Sequence, residues 1–294
     1  MGQEGNEMAQ YREVKVVTGD FARVNIFPVR AQGTGRAKKV KATAAAQERL
    51  NRQMAARRLS DIINLNFTKK DLQLKLDYSA FILKSGRVPS ADECVKEMGR
   101  FMRRLKRLYQ KSGIELKYVY CSEIGARGHI SHHHLIVTGG VDVALIRELW
   151  VAGGCWCRKL YFDRKGCFDL AAYFVKARYT YRSYSCSRNC KRPQDSGRDK
   201  SIYRNDYTVR QKQVNALMNG ELDEIRRMYP GWEIAELPEV AYTVDKETGE
   251  SKLPTWGIFI TLFLYKPEGL SDKASEWDKR HKYSEIWREN KGEA

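Results

Sequence analysis

Four of the chain's five histidines fall within six residues, at positions 129, 132, 133 and 134. No other feature narrows the possible folds as far. Three of them sit in Ile130-Ser-His-His-His-Leu-Ile-Val137, whose β-branched and apolar flanks predict a strand. Just upstream, Lys117-Tyr-Val-Tyr-Cys-Ser-Glu123 predicts a second strand, and Ile124-Gly-Ala-Arg-Gly-His129 is a Gly-bearing connection of hairpin length. Side chains alternate along a strand, so His132 and His134 project from one face and can converge on one ion. His133 points the other way with Leu135 and Val137, into packing. Glu123, on the face of Cys121 and Val119, meets the pair across the hairpin and offers a hard oxygen. Two imidazoles and one carboxylate leave positions open for substrate oxygens and water, the arrangement of a catalytic rather than a structural ion.

The neighbouring segments say what surrounds this hairpin. Leu72-Gln-Leu-Lys-Leu-Asp-Tyr78 alternates at period two, with Leu72, Leu74, Leu76 and Tyr78 on one side and Gln73, Lys75 and Asp77 on the other. After a turn at Pro89, Ser90 and Glu93 have capping-box spacing. The helix they open carries Val95, Met98, Phe101, Met102, Leu105 and Tyr109 and runs to about Lys111, with Gly113 ending it. A short helix is expected over 142–150, a strand near Trp156–Phe162, and a helix capped by Asp169 and running to about Tyr179. The order β-α-β-β-α-β-α, with hairpin-linked strands, predicts an α+β fold with an antiparallel sheet rather than a doubly wound one.

On either side the character changes. Residues 11–35 predict short strands. Residues 36–59 are basic and Ala-rich, and predict a helix from about Thr43 with Leu50, Met54, Leu59, Ile62 and Ile63 as its apolar stripe. Past residue 195 come charged loops, a helix near 208–228 and a strand over Trp256–Tyr265. The expected division is therefore 1–66 as N-terminal strands plus basic helical arm, 67–182 as the core, and 183–294 as a basic, aromatic stretch and C-terminal extension packed on that core.

Fifty-three Lys and Arg against 36 Asp and Glu leave a formal charge of +17. Such an imbalance calls for a polyanionic partner, nucleic acid before an acidic membrane surface. Basic and aromatic residues interleave from Arg178 to Lys212: Arg182, Arg188, Lys191 and Arg192 can neutralise phosphates, while Tyr181 and Tyr184 can stack on bases. The first fifteen residues lack an apolar stretch of the kind export needs, and the apolar run Trp256–Tyr265 is half the length of a bilayer span. Seven cysteines, an odd number, then suit a reducing cytoplasm with free thiols and no disulfide framework. Cys155-x-Cys157 and Cys186-x-x-x-Cys190 read either as inert small hydrophobes or as a loose zinc site.

One further pair joins the histidines. In Leu170-Ala-Ala-Tyr-Phe-Val-Lys-Ala-Arg178, Tyr173 and Lys176 are i and i+3, neighbours on one helix face, with Leu170, Phe174 and Val175 toward the core. A phenol attacks a phosphate at neutral pH only if its proton is taken and the electrophile is polarised, and an adjacent ammonium favours the phenolate.

Taken together, Glu123-Ile-Gly-Ala-Arg-Gly-His-Ile-Ser-His-His-His134 resembles the His-hydrophobe-His motif of HUH-type endonucleases with its upstream Glu. Tyr173-Phe-Val-Lys176 resembles their Tyr-x-x-Lys nucleophile motif, and Leu72–Tyr78 stands where their first strand motif lies. Order and spacing are those of rolling-circle replication initiators of phages, plasmids and integrative elements, over about 70–180. The resemblance implies an RRM-like antiparallel sheet and a Mg²⁺- or Mn²⁺-dependent attack of Tyr173 on a single-stranded DNA phosphodiester at an origin. The implied products are a 5′-phosphotyrosine link and a free 3′-OH. Two departures stand out. His133 occupies the position of a bulky hydrophobe, which leaves 129 and 133 open as competing ligands. Ala177 stands where some initiators carry a second Tyr, which favours a one-tyrosine mechanism. The same chemistry would also suit a relaxase or transposase, and a basic binding module without catalysis is the reading of a different class. The chain has no GxxxxGK[ST] phosphate loop, so unwinding would fall to a host helicase, with a host polymerase extending the 3′ end.

Overall fold

The computed structural model describes residues 11–29, 44–125, 130–176, 184–240, 243–244, 251–252 and 258–275. In chain order the elements begin with strands β1 (Tyr11–Thr18) and β2 (Phe21–Pro28) and helix α1 (Ala44–Asn66). Then come β3 (Leu72–Asp77), α2 (Ser79–Ser85), α3 (Ala91–Lys111), β4 (Tyr118–Ile124), β5 (Ile130–Val137), α4 (Val143–Glu148), β6 (Cys155–Lys159), α5 (Phe168–Phe174) and β7 (Ser185–Cys186). The remainder holds β8 (Ile202–Val209), α6 (Gln211–Asn219), α7 (Leu222–Met228), the two-residue strands β9 to β12 between Glu233 and Lys252, and β13 (Ile260–Tyr265). The architecture is α+β, with antiparallel sheets flanked by helices.

The described residues fall into two compact units. One takes those before residue 42, residues 163–166 and those from 193 onward; the other takes those of 42–162 and 167–192. The division differs from the one expected at 66/67 and 182/183, for reasons of non-local pairing. β1 pairs with β8 and β2 with β13, partners almost two hundred residues and more away, in a sheet ordered β10-β13-β2-β1-β8. Its core joins Val24, Ile26, Leu262 and Leu264 to Val214, Leu217 and Ile225 of α6 and α7. Helix α1, by contrast, belongs with the histidine-bearing unit. Asn64 Oδ1 accepts from the Cys167 amide at 3.0 Å, and Asn66 bonds both ways with the Lys191 backbone.

The second unit is built on a five-stranded antiparallel sheet ordered β6-β3-β5-β4-β7. One face packs on α3. Leu72, Leu74 and Leu76 of β3 and Leu135 and Val137 of β5 meet Cys94, Met98, Phe101, Leu105 and Tyr109 of the helix, all buried. Full burial of such side chains is worth roughly 1.5–3 kcal/mol each. The helix begins as its sequence predicts: Ser90 Oγ accepts from the Glu93 amide, and Glu93 Oε2 accepts from the Ser90 amide at 2.8 Å. Its stripe turns on Cys94 rather than Val95, which is exposed.

Four other expectations are corrected. Helix α5 stops at Phe174, not Tyr179, and its N-cap is Cys167, with Asp169 inside the first turn. The helix near 208–228 is two helices, parted at Gly220, whose φ of 66° is left-handed. The sixth strand ends at Lys159 rather than Phe162. In α1 only the second half buries its stripe: Leu59, Ile62 and Ile63 are buried while Leu50 and Met54 are exposed. Among the described residues no helix is long and apolar enough to cross a membrane.

Candidate metal centre and its tyrosine

Register decides which side chains share the sheet's second face. Glu123 lies opposite His132 and Cys121 opposite His134 in the β4–β5 pairing, while Asp77 and Lys75 of β3 flank the same two histidines from the other side. His133 sits on the α3 face, only 1 % exposed. There its Nε2 lies 2.6 Å from the Tyr78 hydroxyl and its Nδ1 2.8 Å from Ser122 Oγ. With both ring nitrogens engaged on the far face, His133 is not a competing ligand. His129 lies outside the described residues.

Glu123, His132 and His134 converge. Both Nε2 atoms face Glu123 Oε2, at 3.0 and 3.1 Å, and lie 2.9 Å from one another. The ligand atoms of this triad are all within 4.8 Å of each other, the one such grouping among the described residues. The donor chemistry fits a divalent cation. Burial pushes both imidazoles below the usual histidine range, outweighing the pull of Glu123, and so favours the neutral form that ligates. Burial also pushes the Glu123 carboxyl up, but hydrogen bonds from Tyr173 and His134 and the two imidazoles bring it below its ordinary value, so it is ionised. Only one proton can lie between two nitrogens this close, whereas a cation serves all three lone pairs at once. His134 Nδ1 is buried without a hydrogen-bond partner, so Nε2 is the ring's polar outlet. Two nitrogens and one oxygen form a triad able to hold a metal ion and leave positions open around it.

Helix α5 brings the tyrosine to this cluster. Ala171 and Phe174 are buried, Phe174 stacks on the His134 ring with centroids 5.3 Å apart, and Tyr173 meets the same ring edge-on at 5.2 Å. The Tyr173 hydroxyl donates to Glu123 Oε2 at 2.9 Å, the oxygen that both imidazoles face. The residue is nevertheless 46 % exposed. Partial burial and the bond to Glu123 raise its pKa, so the phenol is protonated in this state. Lys176 is exposed in the turn after the helix, tied to Tyr173 only through its amide, which donates to the Tyr173 carbonyl at 3.2 Å. It lies two residues past the end of the helix on which the i, i+3 spacing places it.

The expected DNA-contacting residues are less coherent. Arg188, Lys191 and Arg192 are exposed. Tyr184 is half-buried, and burial raises its pKa. Tyr181 and Arg182 lie outside the described residues. Cys155 and Cys157 line the α3 side of the sheet, and burial pushes Cys155 up to about 12, far from a ligating thiolate at neutral pH. Cys190 bonds Ser187 Oγ. Nothing among the described residues gathers these thiols into a zinc site. What the sequence reading passed over is the polar row beside the histidines, Gln73 and Lys75 with Trp156 and Arg158 of β6. Alternation in β3 had already marked it.

Neither a curated protein nor a solved structure matches the chain. A family model does match, and it covers the stretch that holds Glu123, His132, His134 and Tyr173: residues 77–178 are similar to the family Replication-associated protein ORF2/G2P.

Proposed function

We propose that the chain is a DNA nicking and joining enzyme that starts rolling-circle replication, with Tyr173 as nucleophile. The observation that carries this reading is the 2.9 Å bond from the Tyr173 hydroxyl to Glu123 Oε2, which puts a partly exposed phenol at the edge of a metal-ligand triad. The match to a replication-associated family and the charge of +17 agree with a DNA substrate.

In the reaction the phenol oxygen bonds to phosphorus as the bond from phosphorus to the 3′ oxygen breaks. This leaves a 5′-phosphotyrosine and a 3′-OH; rejoining is the reverse. Glu123, His132 and His134 would hold Mg²⁺ or Mn²⁺, which when bound would supply Lewis-acid polarisation of the phosphate. The Tyr173 proton points at the Glu123 carboxylate. It must leave the phenol oxygen, by way of that carboxylate to solvent, as the bond to phosphorus forms. The departing 3′ oxygen takes a proton from water to become the 3′-OH. The edge-on contact of Tyr173 with the His134 ring keeps the phenol oxygen from swinging away, and fixed placement of this kind is what converts a poor nucleophile into an effective one. Lys176, on the exposed turn, supplies an ammonium for the charge that builds on the phosphate. The 3′-OH primes a polymerase, and a separate helicase opens the duplex.

Incubation with labelled single-stranded origin DNA and Mn²⁺ should give a protein–DNA adduct that survives denaturation, and it should vanish with Tyr173→Phe and with chelator. An adduct still formed by Tyr173→Phe would remove the nucleophile assignment. Wild-type protein that binds the DNA and never cleaves it would leave a non-catalytic binding module as the better account.

A further inference from the structure

We infer that the outer strand of the sheet carries a nucleotide subsite beside the reacting phosphate, in which a base of single-stranded DNA stacks on Trp156 while Lys75 and Arg158 take the adjoining phosphates. This rests on the nicking reading and adds to it a platform outside the basic stretch 178–212.

Trp156 is 66 % exposed, an unusual cost for the largest side chain on a sheet face. Register explains its place. Cys121, His134, Lys75 and Trp156 form one row across β4, β5, β3 and β6, so the indole stands two strands from a candidate ligand and on the same face. Lys75 Nζ sits over the Trp156 ring, 5.1 Å from its centroid, so a cation already lies against one face of the indole and a base takes the other or displaces it. Arg158 follows two residues on, on the same face, and its Nε donates to Gln73 Oε1 at 3.1 Å, which aims the guanidinium. Between this row and α5 lies a cavity of about 450 Å³ lined by Trp156, Lys75, Arg158, Leu170, His134 and Tyr173. Its lining contains two cations and no carboxylate.

The chemistry selects the occupant. A docked protein would want mainly apolar neighbours around the indole, but here an ammonium lies over its ring and a guanidinium shares its pocket. A flat aromatic with two cations, opening onto a phenol that meets a phosphate, suits a strand of alternating bases and phosphates. Every base has a π-face, so the stack carries no strict sequence preference; it fixes the strand's register relative to Tyr173.

The test separates stacking from charge. A fluorescein-labelled thymidine homopolymer and a base-free oligomer of the same backbone are titrated with the full chain in chelator, so that neither is cleaved. Trp156→Ala should weaken binding of the thymidine strand by about ten-fold and leave the base-free strand nearly unchanged. Trp156→Phe should restore most of the loss. Lys75→Gln and Arg158→Gln should weaken both strands, each lowering the salt slope by about 0.7. If Trp156→Ala binds the thymidine strand as wild type does, or loses equally on both strands, the stacking subsite is wrong. Should that happen while wild type still forms the Tyr173 adduct, only the subsite falls. Wild-type protein that binds neither strand would overturn the subsite and the DNA reading together.

Discussion

His133 shows how one residue can be legible in direction and illegible in role. Alternation alone sends it to the opposite face from His132 and His134, and there it lies. Resemblance expects a hydrophobe at that position, yet the imidazole is satisfied at both ends, by Tyr78 at the end of β3 and Ser122 of β4, with the Tyr78 hydroxyl also 3.2 Å from the Cys94 carbonyl. If Tyr78 donates to Cys94, His133 donates through Nε2 and accepts from Ser122 at Nδ1, and no polar atom of the chain of bonds is left over. No local pattern in the sequence announces partners so far apart. Burial, with smaller contributions from His132 and His134, pushes the His133 pKa down to about 3. The unfolded chain therefore binds a proton between about pH 6.5 and 3 that the folded chain refuses. Folding is stabilised above that window and loses stability as pH falls through it. A buried shift of this kind is worth on the order of a few kcal/mol. Denaturant unfolding in chelator from pH 7 to pH 4 should show wild type losing stability steeply and His133→Leu less so. Some slope should survive, because His132 and His134 are shifted the same way. Parallel curves for the two proteins would mean that the buried imidazole is not held neutral.

Among the elements, those with a strong local signal were readable: the capping box that opens α3, the two-residue alternation of β3, and the hairpin strands β4 and β5. Of the short elements, α4 was foreseen over 142–150 and α2 was not. Helix α2 is a single seven-residue piece with no buried residue, so it has no apolar stripe to find, and it is held by Ser79 folding back on Asp77. That aspartate is the joint of the site. Its Oδ1 accepts from the Ser79 amide, the Ser79 hydroxyl and the Gly154 amide, its carbonyl accepts from Trp150 Nε1, and its backbone pairs with His132. Hydrogen bonds from Ser79 and Gly154 hold its carboxyl below the usual range although burial pulls the other way. The 153–154 turn can press so close only because it carries no side chain: a Cβ on Gly153 would overlap both the Asp77 carbonyl oxygen and its Oδ1. Gly153→Ala must then push β3 away from β6 or shift Asp77 against His132. Overpacking of this kind costs about 1–3 kcal/mol. The variant should unfold at lower denaturant and bind Mn²⁺ more weakly than wild type in a calorimetric titration. Unchanged midpoint and affinity would show that the turn yields without consequence.

At the scale of the whole molecule the sequence was least informative, because sheet partnership is not a local property. Nothing in Tyr11–Thr18 says that its outer neighbour is Ile202–Val209, and nothing in Phe21–Pro28 names Ile260–Tyr265. The candidate site, in contrast, was legible almost entire, since Glu123, His132 and His134 come from one hairpin whose geometry follows from alternation, and Tyr173 alone arrives from elsewhere. Among the described residues the consequence is two cores and one candidate ion site, the triad lying wholly in the unit of residues 42–162 and 167–192. An ion gripped by side chains of two paired strands and absent from the unfolded chain must stabilise that unit by mass action, about 2.7 kcal/mol at a hundred-fold excess over its Kd. For a unit of this size that is a rise in melting temperature of about 5 °C or more. Thermal unfolding of the full chain with increasing Mn²⁺ should therefore show a transition that moves upward with the logarithm of the ion concentration. His132→Ala and His134→Ala should each abolish the movement, because each removes one of three ligands. Tyr173→Phe should preserve it, because the phenol is a donor to Glu123 and not a ligand. A wild-type transition indifferent to Mn²⁺ would leave the triad as a hydrogen-bonded cluster and take the ion out of the reaction. A shift that survived His134→Ala would place the ion elsewhere.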